Sequence, residues 1–256
     1  MKLLCAGDSW CYGSDLGEHL ETLRYSRLLG QTLGAASVVN LAKPGISNSY
    51  IIMTIMEWLA INGYLAGNDT SDLFISIGWT SPERFDIYPT AAARGSDTSY
   101  WQTIGPWIFE KDFDTSGHYP IDSKFKDHLE FYYLHLKNEQ TDYYQWVLEI
   151  VKMQNLLKNL GIKFLMHQAI YNNDHYKTGI DKVYDLTNMF HGAALLWESV
   201  EKATFLRKEH DNMSLYSYLK DEVNTLNHGR GDHPSKQGHE MIANLLHTYI
   251  VENHLC

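Results

Sequence analysis

The chain is poor in cysteine and contains no long apolar stretch. Its three cysteines are Cys5, Cys11 and Cys256, and so odd and sparse a set argues against a disulfide framework and suits a reducing compartment. No apolar run reaches the roughly 18 residues that a transmembrane helix needs. The apolar N-terminal residues stop at a Gly-Asp pair at positions 7–8, too early for the apolar region of a signal peptide. We therefore expect a cytoplasmic protein without a signal peptide.

Positive charge is also scarce. The 256 residues include 21 Lys and Arg against 31 Asp and Glu, which gives a formal net charge of −10. A strongly acidic chain binds nucleic acid and anionic membranes poorly, because like charges repel. The sequence therefore predicts no nucleic-acid partner and no membrane partner, and it leaves the oligomeric state open.

Apolar segments of two kinds alternate along the chain. Hydrophobic residues make up 44% of the sequence, enough for the core of a single domain over residues 1–256. Short apolar runs predict strands at 2–6, 37–40, 72–77 and 162–167, and helical spacing predicts helices at 20–33, 47–65, 143–160 and 236–251. This alternation favours a parallel sheet with helices on both faces.

Two long segments fall outside this pattern and are expected to be insertions. Residues 86–140 are rich in aromatic side chains, and residues 172–230 are expected to be partly helical around 193–206 and 215–226. Segments of this length are rarely structureless inside a compact domain unless they are functional. We expect both to pack on the core and to shape the rim of a site.

Four short blocks carry most of the chemical information. They are Gly-Asp-Ser at 7–9, Asn-Leu-Ala-Lys-Pro-Gly at 40–45, Gly-Trp-Thr-Ser at 78–81 and Asp-His-Pro-Ser at 232–235. Each of the first three follows a predicted strand, at the edge of the sheet where parallel folds build ligand sites. Together they offer a serine, backbone amides and a histidine, which are the components of an acyl-transfer site.

Ser9 is the candidate nucleophile and His233 the candidate general base, because a serine hydroxyl needs a base to react at neutral pH. The order and spacing of the four blocks resemble the SGNH (GDSL-type) hydrolase family over residues 1–85 and 228–253. The resemblance implies a flavodoxin-like three-layer α/β/α sandwich and hydrolysis of a carboxylic ester, often an O-acetyl group on a carbohydrate. The third block and the lack of a signal peptide also resemble SGNH-like proteins of tailed bacteriophages, which would place the protein in a host cytoplasm or a virion.

The resemblance also implies the parts of an oxyanion hole. The backbone amides of Ser9 and Gly45 match two donors of the family, whereas the family's third donor, an asparagine side chain, is replaced here by Thr80. Three outcomes are open: Thr80 donates from its hydroxyl, Asn48 donates instead, or two backbone amides act alone. The nearby Glu83 and Arg84 are interpreted as a surface salt bridge.

The group that orients His233 is a second departure. The family places an aspartate three residues before the histidine, and that position is Arg230 here. Asp232 is one candidate for the orienting acid, and a Ser-His dyad with the ring held by a backbone carbonyl is another. His228 and His239 are alternative bases, although His239 is expected to be structural.

No cofactor or metal is expected, because the sequence has no Walker or Rossmann glycine loop and no metal-ligand spacing of histidines. The leading hypothesis is a serine esterase or deacetylase whose partner is a small-molecule or carbohydrate ester. A non-catalytic binding or virion structural protein with the same fold is the alternative, motivated by Thr80 and Arg230. A transferase that uses the same serine is a third possibility.

Overall fold

Among the residues that this computed structural model describes, the strands form one parallel sheet and two small antiparallel pairs. The structure describes residues 1–87, 102–105, 127–129, 131–136, 139–170, 191–206, 214–220, 222–227 and 232–256. The strands are β1 (Lys2–Ala6), β2 (Ser37–Asn40), β3 (Leu73–Trp79), β4 (Phe85–Ile87), β5 (Gln102–Ile104), β6 (Lys163–Gln168), β7 (Leu226–Asn227) and β8 (His233–Pro234).

The helices alternate with the strands of the parallel sheet. They are α1 (Ser9–Tyr12), α2 (Leu20–Leu23), α3 (Tyr25–Thr32), α4 (Asn48–Ile61), α5 (Glu139–Asn159), α6 (His191–Glu198), α7 (Leu215–Leu219) and α8 (Lys236–Glu252). Short 3₁₀ turns cover Gly17–His19, Tyr64–Ala66 and Lys202–Thr204, and a π-helical turn covers Tyr132–Leu136. None of the helices in the described ranges has the length and apolar character needed to span a membrane.

The parallel sheet has the strand order β2-β1-β3-β6. Its centre is buried on both faces, because every residue of β3 is buried. Successive side chains of a strand point to opposite faces, so Leu4 and Ile75 join the core beneath α4 and α5. The alternate residues Leu3 and Phe74 join a second core beneath α3 and α8. The predicted three-layer α/β/α sandwich is therefore confirmed.

Where the structure describes the predicted elements, the main differences lie at helix ends. The predicted helix 20–33 is split, because Arg24 is extended, with φ −61° and ψ 140°. The break leaves the backbone N–H of Tyr25 without an acceptor in the helix. This buried N–H donates to Nδ1 of His239 at 3.2 Å. Within the second insertion, α6 and α7 overlap the helical segments expected at 193–206 and 215–226, but each ends several residues before the end of its expected segment.

The first insertion is described only in part. The strands β4 and β5 pair antiparallel, with Phe85 opposite Ile104, and residues 127–129 and 131–136 lie against this pair. Most of the other residues of the segment 86–140 lie outside the described residues, as does about half of 172–230.

Candidate functional site

The nucleophile turn begins directly where β1 ends. Ser9 is the first residue of α1, and the carboxylate of Asp8 caps this helix by accepting from the backbone N–H of Trp10 at 3.0 Å. Gly7 is required by a close approach, because a Cβ at this position would lie 2.7 Å from the Cβ of Cys11. The turn therefore holds Ser9 at the carboxyl edge of the sheet, as the first block predicts.

Two backbone amides near this turn are available as donors. In the described chain, the N–H groups of Ser9 and Gly45 donate to no other protein atom. Gly45 has φ +73° and is exposed, a left-handed conformation that glycine adopts without steric cost. Free amides at these two positions are what an oxyanion hole needs.

His233 lies in β8, which pairs with β7 just before α8 begins. The side chain of Ser235 caps α8 by accepting from the N–H of Gly238 at 3.2 Å. Gly238 allows this loop to approach closely, since a Cβ there would lie 2.2 Å from the carbonyl oxygen of Thr225. The strand β8 contacts α1, so the structure brings the loops of Ser9 and His233 together.

The carboxylate that contacts His233 is Asp15. Its Oδ2 lies 2.8 Å from Nδ1 of His233. Gly13, which ends α1, and Asp15 both have left-handed backbone conformations, with φ +92° and +68°, and these turns fold the chain back after the helix. Because an ionised carboxylate only accepts hydrogen bonds, this contact favours the tautomer of the neutral ring that carries its proton on Nδ1 and leaves Nε2 as an acceptor.

The observed contact of His233 differs from both arrangements expected from the sequence. Nδ1 of His233 bonds to Asp15 and not to Asp232, which has a left-handed backbone with φ +42°. This contact is also different from a ring held by a backbone carbonyl, and the acid that orients His233 in a reaction stays a prediction. Arg230 and His228 lie outside the described residues. The sequence feature that could have pointed to Asp15 was its position six residues after Ser9, in a loop at the same edge of the sheet.

Thr80 does not donate its hydroxyl proton toward the candidate oxyanion site. Its Oγ1 donates to Oδ2 of Asp8 at 2.6 Å, and a hydroxyl has only one proton to donate. The side chain of Asn48 bonds to the backbone of Thr80. Its Oδ1 accepts from the N–H of Thr80 at 2.8 Å, and its Nδ2 donates to the carbonyl oxygen of Thr80 at 3.1 Å. The hydroxyl proton of Thr80 is therefore used, whereas Nδ2 of Asn48 keeps a second proton. Which donors act in an oxyanion hole stays a prediction.

Arg84 forms an ion pair inside the protein and not at its surface. Its Nη1 lies 3.5 Å from Oδ2 of Asp8, and the two side chains are 7% and 0% exposed. The same nitrogen donates to the carbonyl oxygen of Ile46 at 3.1 Å. Arg84 therefore forms a buried pair with Asp8 behind the nucleophile turn in place of the predicted surface salt bridge with Glu83. This partner matters for Asp8, because an unpaired buried charge is strongly destabilising.

Two further histidines are buried near the site. His167 lies in β6 with its Nε2 3.1 Å from the hydroxyl of Tyr25, and burial lowers its pKa to about 3. Burial, with a smaller contribution from His233, also lowers the pKa of His239 to about 3. Burial therefore keeps both rings neutral at physiological pH, and neither is a good candidate for the general base.

Cys11 is a core residue and not a second nucleophile. Its side chain is 1% exposed. Burial raises the pKa of its thiol to about 12, so the reactive thiolate is scarce at neutral pH. Among the residues that the structure describes, no three His, Cys, Asp or Glu side chains are arranged to hold a metal ion.

A cavity of about 420 Å³ opens beside the nucleophile turn. Its walls come from the start of α4, from residues 82–86 after β3, from Tyr132 and from the first half of α5. Asn48 and Arg84 line it and also hold Thr80 and Asp8. Two lining residues therefore connect the cavity to Asp8 and Thr80, and the volume suits a small molecule.

A family of unknown function, DUF6071, matches residues 11–256. The chain belongs to this family. The match begins two residues after Ser9 and includes His233, Asp15 and the cavity. No curated protein matches the chain.

Several solved structures are similar in fold to this chain. The crystal structure of TesA has a TM-score of 0.51 and 13% identity, and the match covers 99% of both chains. The esterase EstA from Pseudoalteromonas sp. has a TM-score of 0.49 and 10% identity over 98% of this chain and 97% of that one. A member of the lipolytic G-D-S-L family from Veillonella parvula has a TM-score of 0.43 and 14% identity over 98% and 97%. At such identities, the TesA match establishes the shared fold alone.

Proposed function

We propose that the protein is a serine hydrolase that cleaves carboxylic esters. The observation that carries the proposal is the contact of 2.8 Å between Asp15 and Nδ1 of His233 in the loop beside Ser9. This contact supplies an orienting carboxylate, whereas the position from which SGNH hydrolases supply it is Arg230 in this chain. A serine, a correctly oriented imidazole and free backbone amides are the parts that ester hydrolysis requires.

In the proposed reaction, Oγ of Ser9 attacks the carbonyl carbon of the ester while Nε2 of His233 takes its proton. Asp15 stabilises the imidazolium and holds it in position. The amides of Ser9 and Gly45 donate to the developing oxyanion. His233 then gives the proton to the leaving alcohol, and a water molecule activated by the same ring hydrolyses the acyl-enzyme.

The oxyanion hole of this proposal has two backbone donors, since the hydroxyl of Thr80 is bonded to Asp8. Losing one donor from such a hole typically costs roughly 10²–10³ in rate, so we propose a slow esterase. The substrate class that the SGNH resemblance implies, an O-acetylated carbohydrate, stays a prediction, and so do the bacteriophage source and the cytoplasmic location.

The missing third donor also favours the competing function, a non-catalytic binding protein that keeps the fold. The two are separated by hydrolysis of p-nitrophenyl acetate by the wild type, Ser9→Ala and His233→Ala between about pH 5 and 9. A serine esterase loses activity in both variants. The rate of the wild type rises with pH, and the midpoint of the rise is an apparent pKa near that of a histidine. Equal rates in all three proteins would contradict the proposal and favour the binding protein.

A further inference from the structure

The cavity beside the nucleophile turn has an anionic wall. Asp86, Asp142 and Glu149 line it, and Arg84 is the single cationic residue among the described residues of the lining. The guanidinium of Arg84 is already paired with the buried carboxylate of Asp8. Asp86 and Glu149 therefore give the wall that they form a negative charge.

Glu149 is the most buried of these carboxylates, with 7% of its surface exposed. Its Oε1 accepts from the hydroxyl of Ser49 at 2.7 Å and from Nε2 of Gln145 at 3.2 Å. Within the described chain, no donor is bonded to its Oε2. One oxygen of a buried carboxylate in the cavity wall is thus left for a ligand, and a buried carboxylate without enough donors is costly.

The charge of Glu149 is only partly compensated by its surroundings. Burial raises the pKa of this carboxyl, against the opposing effects of Ser49, Gln145 and the nearby Lys152, and Asp86 adds a like charge. Asp86 itself accepts hydrogen bonds from the hydroxyls of Ser47 and Thr103 and has no cationic partner among the described residues. A cation in the cavity would relieve both carboxylates.

Three aromatic residues also line the cavity. Phe85 and Tyr132 contact each other with ring centroids 5.2 Å apart, and Trp146 lies in the wall that carries Glu149. Aromatic faces attract cations, by about 0.5–2 kcal/mol for each favourable contact. Carboxylates and aromatic faces together complement an organic cation, and they disfavour an anionic ligand.

We infer that this cavity binds an organic ammonium group, and that it forms the part of the substrate site that selects cationic esters. The binding of an ammonium group stands on the cavity alone, whereas its assignment as a substrate subsite rests on the proposed esterase function. Asn48 and Arg84 connect the two, because each lines the cavity and contacts a residue of the network behind Ser9.

The test compares phenethylammonium with 2-phenylethanol, which has a similar shape and no charge, by isothermal titration calorimetry at pH 7.5. The wild type should bind the ammonium at least about tenfold more tightly, and Glu149→Gln should remove most of this preference. Asp142→Asn should reduce it as well. Glu57→Gln, which removes an exposed carboxylate from α4, is the matched control and should change nothing.

Melting temperatures show whether each variant is folded, and the two carboxylate variants act as independent tests of the same wall. Binding by Ser9→Ala, which cannot form an acyl-enzyme, separates this inference from the proposed reaction. Equal affinity for the two probes, or an unchanged preference in both Glu149→Gln and Asp142→Asn, would overturn the ammonium site. Where the wild type hydrolyses p-nitrophenyl acetate, binding of phenethylammonium without inhibition would overturn its role as a substrate subsite.

Discussion

Replacing Asp15 with asparagine should slow ester hydrolysis far more than replacing Asp232. Asparagine keeps the size of the side chain and tolerates the left-handed backbone of this position, φ +68°. Its amide can donate a proton to Nδ1 of His233, however, and this favours the tautomer whose Nε2 carries a proton. That tautomer cannot accept the proton of Ser9.

The magnitude follows from the distance and from the exposure of the pair. Two unit charges about 4 Å apart interact by about 4 kcal/mol at an effective dielectric constant of 20. The side chain of Asp15 is 44% exposed, so solvent screens part of this energy. A hydrogen bond to a charged group contributes about 1.5–3 kcal/mol, which corresponds to a loss of about 10- to 150-fold in kcat. A fully buried triad acid gives a larger loss, of roughly 10⁴.

The assay is steady-state hydrolysis of p-nitrophenyl acetate by the wild type, Asp15→Asn and Asp232→Asn at pH 7.5. We expect KM to change little in Asp15→Asn, because the acid acts on the imidazole and not on the substrate. Asp232→Asn is the matched control and should stay within about threefold of the wild type. Full activity in Asp15→Asn, together with a large loss in Asp232→Asn, would refute the assignment of the orienting acid.

Three further predictions concern the network and the cavity. Thr80→Val should lower stability by about 1–3 kcal/mol, measured by urea unfolding, because buried Asp8 loses a donor, whereas Thr80→Ser should recover most of it. Gly78→Ala should cost about 1–3 kcal/mol in the same assay, because its Cβ would lie 3.0 Å from Nε2 of His167. Glu149→Gln should raise the melting temperature at pH 7.5. Since the pKa of Glu149 is raised by burial, this gain should disappear at acid pH, where the carboxyl is protonated in both the folded and the unfolded state; a gain that is the same at every pH would contradict the reasoning.

The sheet and the loops that carry Ser9, Gly45 and His233 could be predicted from the sequence. Each of these residues is next to a strong local signal: an apolar run that ends in glycine, a Pro-Gly turn, or a capped terminal helix. Signals of this kind act over a few residues, and the parallel sheet then brings the loops to one edge. Local patterns were therefore enough to predict that these residues lie in loops at one edge of the sheet.

The partners of these residues could not be predicted in the same way. Asp15 reaches His233 through left-handed turns in a loop, and no periodic pattern marks their direction. Thr80 and Asp8 are 72 positions apart, and the hydroxyl is used by the carboxylate because the two loops meet when the sheet forms. Glu149 is one polar residue in a 21-residue helix, and the sequence does not show which of its polar faces lines a cavity.

Covalent labelling by a fluorophosphonate, followed by peptide mass spectrometry, tests directly whether Ser9 is an activated nucleophile. An activated serine reacts with this reagent, whereas an ordinary serine does not. We predict one adduct, on Ser9, that forms much more slowly in Asp15→Asn and is absent in His233→Ala. A folded wild type that forms no adduct, or labelling that is unaffected by the loss of His233, would contradict it.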